Sequence, residues 1–177
     1  MTSLTGGPSR IQLEIFTDAH RVSCQMAVGM RGLHAELADS SSNYLEVEDV
    51  YISRVNQPAE ITANYARCAL RKDNIKFVVL QDRREGLPMG SHHAQSVYTR
   101  GRPVPVFLTV PGFEIRGELR HDGKVSAALL MAQAISRYLF VFAATAAAAL
   151  QPQVVYHGDL IMVDAAQVGV LGIEEHR

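Results

Sequence analysis

The chain is short of cysteine, of net charge and of long apolar runs, and each shortage removes a class of protein. Two cysteines in 177 residues, Cys24 and Cys68, cannot build a disulfide scaffold and do not form a Cys-x-x-Cys pair. They read as buried thiols of a reducing cytoplasm. Seventeen Lys and Arg against eighteen Asp and Glu leave a net charge of −1, so no bulk field draws the chain to nucleic acid or to an anionic membrane. Any such binding must come from a local patch. The longest apolar run, Tyr138 to Leu150, is too short to cross a bilayer, and Met1 to Arg10 lacks the apolar core of a signal peptide. A soluble cytoplasmic protein without membrane contact is expected. Catalytic signatures are missing as well: there is no nucleophile elbow, phosphate loop, dinucleotide fingerprint or zinc motif. No catalytic residue, cofactor or metal is selected, and a non-enzyme is the expectation.

What is present is one stretch in two copies. Ser42-Asn43-Tyr44-Leu45-Glu46-Val47 and Ser136-Arg137-Tyr138-Leu139-Phe140-Val141 lie 94 residues apart, and Gln57-Pro58 and Gln151-Pro152 share that offset. Ile11 matches Val104, Val22 matches Ile115 and Ile75 matches Val168 at an offset of 93. Internal similarity at a fixed period points to repeated architecture. The division is a disordered polar tail at 1–10, a first repeat at 11–80, a linker or long loop at 81–103, a second repeat at 104–173 and a tail at 174–177.

Within the repeats, apolar and polar residues alternate at the period of a half-buried strand. Ile11, Leu13 and Ile15 begin the pattern, Val22, Cys24, Met26 and Val28 continue it, and Phe113, Ile115, Gly117 and Leu119 give the cleanest case. Tyr44 to Tyr51 is a further strand, with Leu45 and Val47 on one face and Glu46 and Glu48 on the other. A break at Gln57-Pro58 precedes a β-prone run through Ile61 and Tyr65 and a strand from Ile75 to Leu80. Ser126 before Ala127-Ala128-Leu129-Leu130-Met131 is an N-cap before helix formers, which predicts a short helix there and at 33–39. Ala143 to Leu150 is compatible with strand or helix. The fold class is mainly β: two tandem small β-barrel or β-roll repeats, each with a short helical insertion.

The copies differ where it matters. Glu46 and Glu48 fall on Phe140 and Phe142, so one repeat keeps a solvent face that the other must cover. Two phenylalanines taken out of water contribute roughly 3–6 kcal/mol. Phe140 and Phe142 are therefore the interface candidates, against the first repeat or against another subunit, and a homo-oligomer is expected.

Leu70-Arg71-Lys72-Asp73-Asn74-Ile75 resembles the closing motif of Sm and Sm-like RNA-binding proteins, and Gly112-Phe113-Glu114-Ile115-Arg116-Gly117-Glu118-Leu119 resembles their opening motif. Asp39 and Asn43 have the spacing of the Asp and Asn at that family's RNA pocket. Lys72 stands where the family has glycine, and the second repeat offers Gln133, Arg137 and Ala165 against Asp39, Asn43 and Arg71. The resemblance implies RNA as ligand, with Asp39, Asn43, Arg71 and Lys72 as the binding candidates. Asp39-Ser40-Ser41-Ser42-Asn43-Tyr44-Leu45 is similar to the Asp-x-Ser element of PilZ domains, which implies a cyclic dinucleotide or protein partner, with Tyr44 in place of glycine. The chain as a whole resembles an uncharacterised bacterial family of duplicated domains, for which no activity is implied. A purely structural assembly protein is the third reading. His92-His93, with His121 and Asp122, fits no structural zinc spacing, and Arg83-Arg84 with Arg100 and Arg102 bracket the linker as a basic patch or solvated loop.

Overall fold

The computed structural model describes residues 9–87, 100–134 and 137–174. The first half runs β1 (Ser9–Phe16), β2 (His20–Val28), α1 (Leu33–Ala38), β3 (Tyr44–Arg54), β4 (Gln57–Arg71), a 3-10 turn at Lys72–Asn74 and β5 (Phe77–Leu80). After a helical turn, α2 (Arg83–Gly86), the second half runs β6 (Arg102–Val110), β7 (Phe113–His121), α3 (Ala127–Met131), β8 (Tyr138–Ala148), β9 (Gln151–Asp164), a 3-10 turn at Ala165–Gln167 and β10 (Val170–Ile173). The succession of elements is the same in both halves. So are their fastenings: Lys72 N–H donates to Asn43 O and Ala165 N–H to Arg137 O, both at 2.9 Å, while Lys76 N–H donates to Phe16 O and Gly169 N–H to Thr109 O, both at 2.8 Å.

Some bounds move from those the sequence suggests. β1 begins at Ser9, inside the expected tail, and β6 begins at Arg102, inside the expected linker. The residues 81–87 are ordered by their own contacts, because Asp82 caps α2 by accepting from Arg84 N–H and Gln81 Nε2 donates to His157 O at 2.9 Å. Gln57-Pro58 opens β4 rather than breaking the chain, since an edge strand tolerates a proline that has no N–H to give. Ala143 to Ala148 belongs to β8, where Ala144, Ala146 and Ala148 sit buried against the second half's core.

The two sets of strands do not make separate sheets. All ten form one sheet in the order β10-β6-β7-β8-β9-β5-β1-β2-β3-β4, every neighbouring pair whose register is described being antiparallel. Each half contributes its strands in the same internal order, last-first-second-third-fourth. They join where β5 pairs β9, Phe77 opposite Val163 and Leu80 opposite Leu160.

That join explains why both faces of its strands are apolar. One core gathers β1–β3, α1, Val78 and Leu80 and takes in Tyr138, Phe140, Phe142, Leu160 and Met162 from the second half. The other gathers β6–β9 and α3 and takes in Phe16, Phe77 and Val79 from the first. Phe16 stacks on Phe77 with centroids 4.5 Å apart, and Phe113 and Tyr156 close the ring cluster edge-on. Each half is completed by side chains of the other. Among the described residues no helix is long and apolar enough to cross a membrane.

Candidate functional site

The four binding candidates lie on segments that α1 and the hairpin β3–β4 bring to one corner. Asp39 ends α1 with its Oδ1 accepting from Ser41 N–H at 2.9 Å, and Ser42 Oγ accepts from Tyr44 N–H at 3.1 Å. Short polar side chains that bond nearby backbone in this way hold a loop without regular structure. Asn43 then hands its carbonyl to Lys72 N–H, and Lys72 Nζ donates to Asp39 O at 2.8 Å. The Ser41 N–H holds the Asp39 carboxyl below the usual carboxylate range, helped by the charges of Lys72 and Arg31.

The roles separate on inspection of exposure. Lys72 is only 6% exposed and its ammonium is spent on a loop carbonyl, so it fastens the corner rather than facing solvent. Arg71 and Asn43 are exposed. Tyr44 stands directly opposite Arg71 across the β3–β4 ladder and is 55% exposed. Facing residues of an antiparallel pair share a side of the sheet, so a ring and a guanidinium sit side by side here. The motif comparison noted Tyr44 only as a departure from the PilZ glycine and did not place it among the binding candidates.

The second half closes the corresponding corner. Tyr138 takes the place of Tyr44 and is fully buried, its hydroxyl without a partner among the described residues and its pKa pushed up to about 12 by that burial. Opposite it stands Asp164, where the sequence comparison had put Ala165 against Arg71. The one-residue slip has a plain origin: β4 spans 15 residues and β9 spans 14. Arg137, at φ 91, fills the place of Asn43, donating to Asp164 Oδ2 through Nε at 2.9 Å and Nη2 at 2.6 Å, and to Asp73 Oδ1 through Nη1 at 3.2 Å. Asp73 belongs to the first half, so this knot ties the two together. Lys76 adds a second tie, from Asp18 Oδ1 at 2.9 Å to Gln167 Oε1 at 2.8 Å.

Phe140 and Phe142 lie at the join of the halves, each 2% exposed, in the core shared with the first half. Their counterparts Glu46 and Glu48 look outward beside Arg67 and Ala69 into a shallow cleft of about 540 Å³, and Glu48 pairs with Arg10 at 2.9 Å and Arg67 at 3.5 Å. The remaining sequence candidates disperse. His92 and His93 lie outside the described residues. His121 Nε2 meets Lys124 O at 3.1 Å and its Nδ1 meets the Gln133 amide, so both ring nitrogens are engaged within the second half. Arg83 and Arg84 face Asp159 and Asp82, and Arg100 and Arg102 are exposed. Among the described residues no group of three or more His, Cys, Asp or Glu could hold a metal ion.

The described residues therefore offer one open corner, one closed corner and two open sheet edges, and no family model, characterised protein or solved structure matches the chain.

Proposed function

We propose that the chain is a non-enzymatic assembly module of two tandem Sm-like small β-barrels whose copies join head to tail. The observation that carries this is the sheet order, in which the last strand of the first half pairs the fourth strand of the second, leaving the other fourth strand, β4, and the other last strand, β10, as free edges among the described residues. The two free edges are the same two elements that are already joined once inside the chain. β5 is buried at every position, whereas β10 has Val170 55% exposed and β4 has Ile61 and Tyr65 more than half exposed. A free edge of unpaired N–H and C=O groups is a template for another strand. Sedimentation of the full chain over a wide concentration range tests the proposal. A mass that rises with concentration, and that Val170→Asp returns to a single chain, supports it; a single chain at all concentrations ends it.

A nucleotide or RNA ligand at the open corner is the second reading, favoured by the exposed pairing of Tyr44 with Arg71. An aromatic face stacks on a base and a guanidinium takes phosphate or stacks in turn. The expected result is binding of a short single-stranded RNA pool at low salt that weakens steeply with added salt and on Arg71→Ala. Absence of binding at low salt removes RNA, and a rise in melting temperature with cyclic diguanylate instead favours the PilZ-like alternative.

A further inference from the structure

Equivalent positions in the two halves show what the joint between copies would contain. The inner joint sets Phe77 opposite Val163 and Leu80 opposite Leu160. Carried to the free edges, that register sets Val170 of one copy opposite Leu70 of the next and Ile173 opposite Arg67. The side chains behind the pairing differ in kind. Across the inner joint the second half sends Tyr138, Phe140, Phe142, Leu160 and Met162 into the first half's core, and receives Phe16, Phe77 and Val79. Across the outer joint the counterparts are Tyr44, Glu46, Glu48, Arg67 and Ala69 on one side and Thr109, Val170 and Gly172 on the other.

Resting on the head-to-tail reading, we propose that the outer joint is a weakened copy of the inner one, kept reversible by Glu46 and Glu48. Both joints have the same strand pairing available. Only the inner one is backed by large apolar side chains. Glu46 and Glu48 cannot enter a neighbour's core as Phe140 and Phe142 do, because a carboxylate removed from water loses far more than its pairing returns. Glu48 is already engaged by Arg10 and Arg67 of its own chain, which keeps that charged layer at the surface. The cleft of about 540 Å³ beside Glu46, Glu48, Arg67 and Ala69 lies on the face whose counterpart is packed over in the second half. The occupant this fits is the β10 end of a second copy.

The test makes the outer joint resemble the inner one. Wild type, Glu46→Phe/Glu48→Phe and the same pair with Val170→Asp are compared by sedimentation equilibrium. The paired phenylalanines should bring assembly to a concentration at least tenfold lower, and Val170→Asp, on a residue exposed in the single chain, should reverse it. The single change Glu46→Leu gives the same test with a smaller shift. Assembly at the wild-type concentration overturns the inference while leaving the head-to-tail reading in place. Larger species that survive Val170→Asp also overturn it, since they come from exposed phenylalanine and not from β10. If wild type stays a single chain while the double variant assembles in a manner that Val170→Asp reverses, native assembly fails and the restraint by Glu46 and Glu48 stands. If neither assembles, both fail.

Discussion

Arg137 and Asp164 face each other at the inner joint with Nη2 2.6 Å from a carboxylate that is wholly buried, and the same guanidinium reaches Asp73 of the other half. Removing only the cation leaves a buried charge without its partner. Arg137→Met should therefore cost about 3–5 kcal/mol in urea unfolding. Arg137→Met with Asp164→Leu should recover a large part of that loss, because the apolar pair leaves no orphan charge. Equal stability of the single and double variants would show that the knot contributes no more than its packing.

Phe140 belongs by sequence to the second half and by packing to the core of the first. Phe140→Ala should destabilise the protein by about 3–5 kcal/mol, the range for deleting a buried phenylalanine. The more telling measurement is hydrogen exchange. Amides of β1 and β2 should lose protection together with those of β8, because the cavity opens in their shared core. Loss confined to β8 and β9 would contradict the shared core.

Gly117 sits at the irregularity between Arg116 and Glu118 where β7 meets β8. A Cβ there would come within 2.7 Å of Phe142 O and 2.9 Å of Ala144 Cβ, backbone and near-backbone atoms with little freedom to yield. Gly117→Ala should cost about 1–3 kcal/mol as overpacking, read as a lowered urea midpoint.

Burial, reinforced by nearby Cys68, pushes the Cys24 thiol up to about 12 from an ordinary value of 9.0. The folded state thus holds this proton more tightly than the unfolded chain. Its contribution is complete below pH 9 and declines as pH rises from 9 towards 12, with a limiting slope of about 1.4 kcal/mol per pH unit. Urea midpoints between pH 8 and pH 10.5 should fall, and Cys24→Ala should start lower but fall less. Parallel decline in both proteins would assign the loss to other groups, Tyr138 among them.

Strands were readable wherever one face is buried and the other wet, because alternation is the direct print of that environment. β1, β2, β3 and β7 follow it. In β8 the ambiguous part was Ala143 to Ala148: its burial alternates, with Ala144, Ala146 and Ala148 inside, but alanine on both faces hides the period. Upstream, at the joint, Phe140, Val141 and Phe142 are buried in succession because both faces are covered. The union of the halves into one sheet was not legible, since β5 and β9 are far apart in sequence and a continuous apolar strand does not name its neighbour. The corner followed a similar course. Asp39, Asn43, Arg71 and Lys72 were named from short motifs, and the fold sets their segments together, yet burial withdraws Lys72 and adds Tyr44. Arg137 with Asp164 went unnoticed because a one-residue difference between the β4 and β9 hairpins hid the alignment.

The β5–β9 pairing also sets an order of events at the ribosome. Phe77 lies 86 residues before its partner Val163, so the first half leaves the exit tunnel with one edge bare and with Phe16, Phe77 and Val79 uncovered. Local hairpins such as β1–β2 and β3–β4 can close at once, but the core that needs Phe140 and Phe142 cannot. Until β9 arrives, that edge and those side chains stay open to aggregation, and the second half acts on the first as a tethered, late-arriving lid.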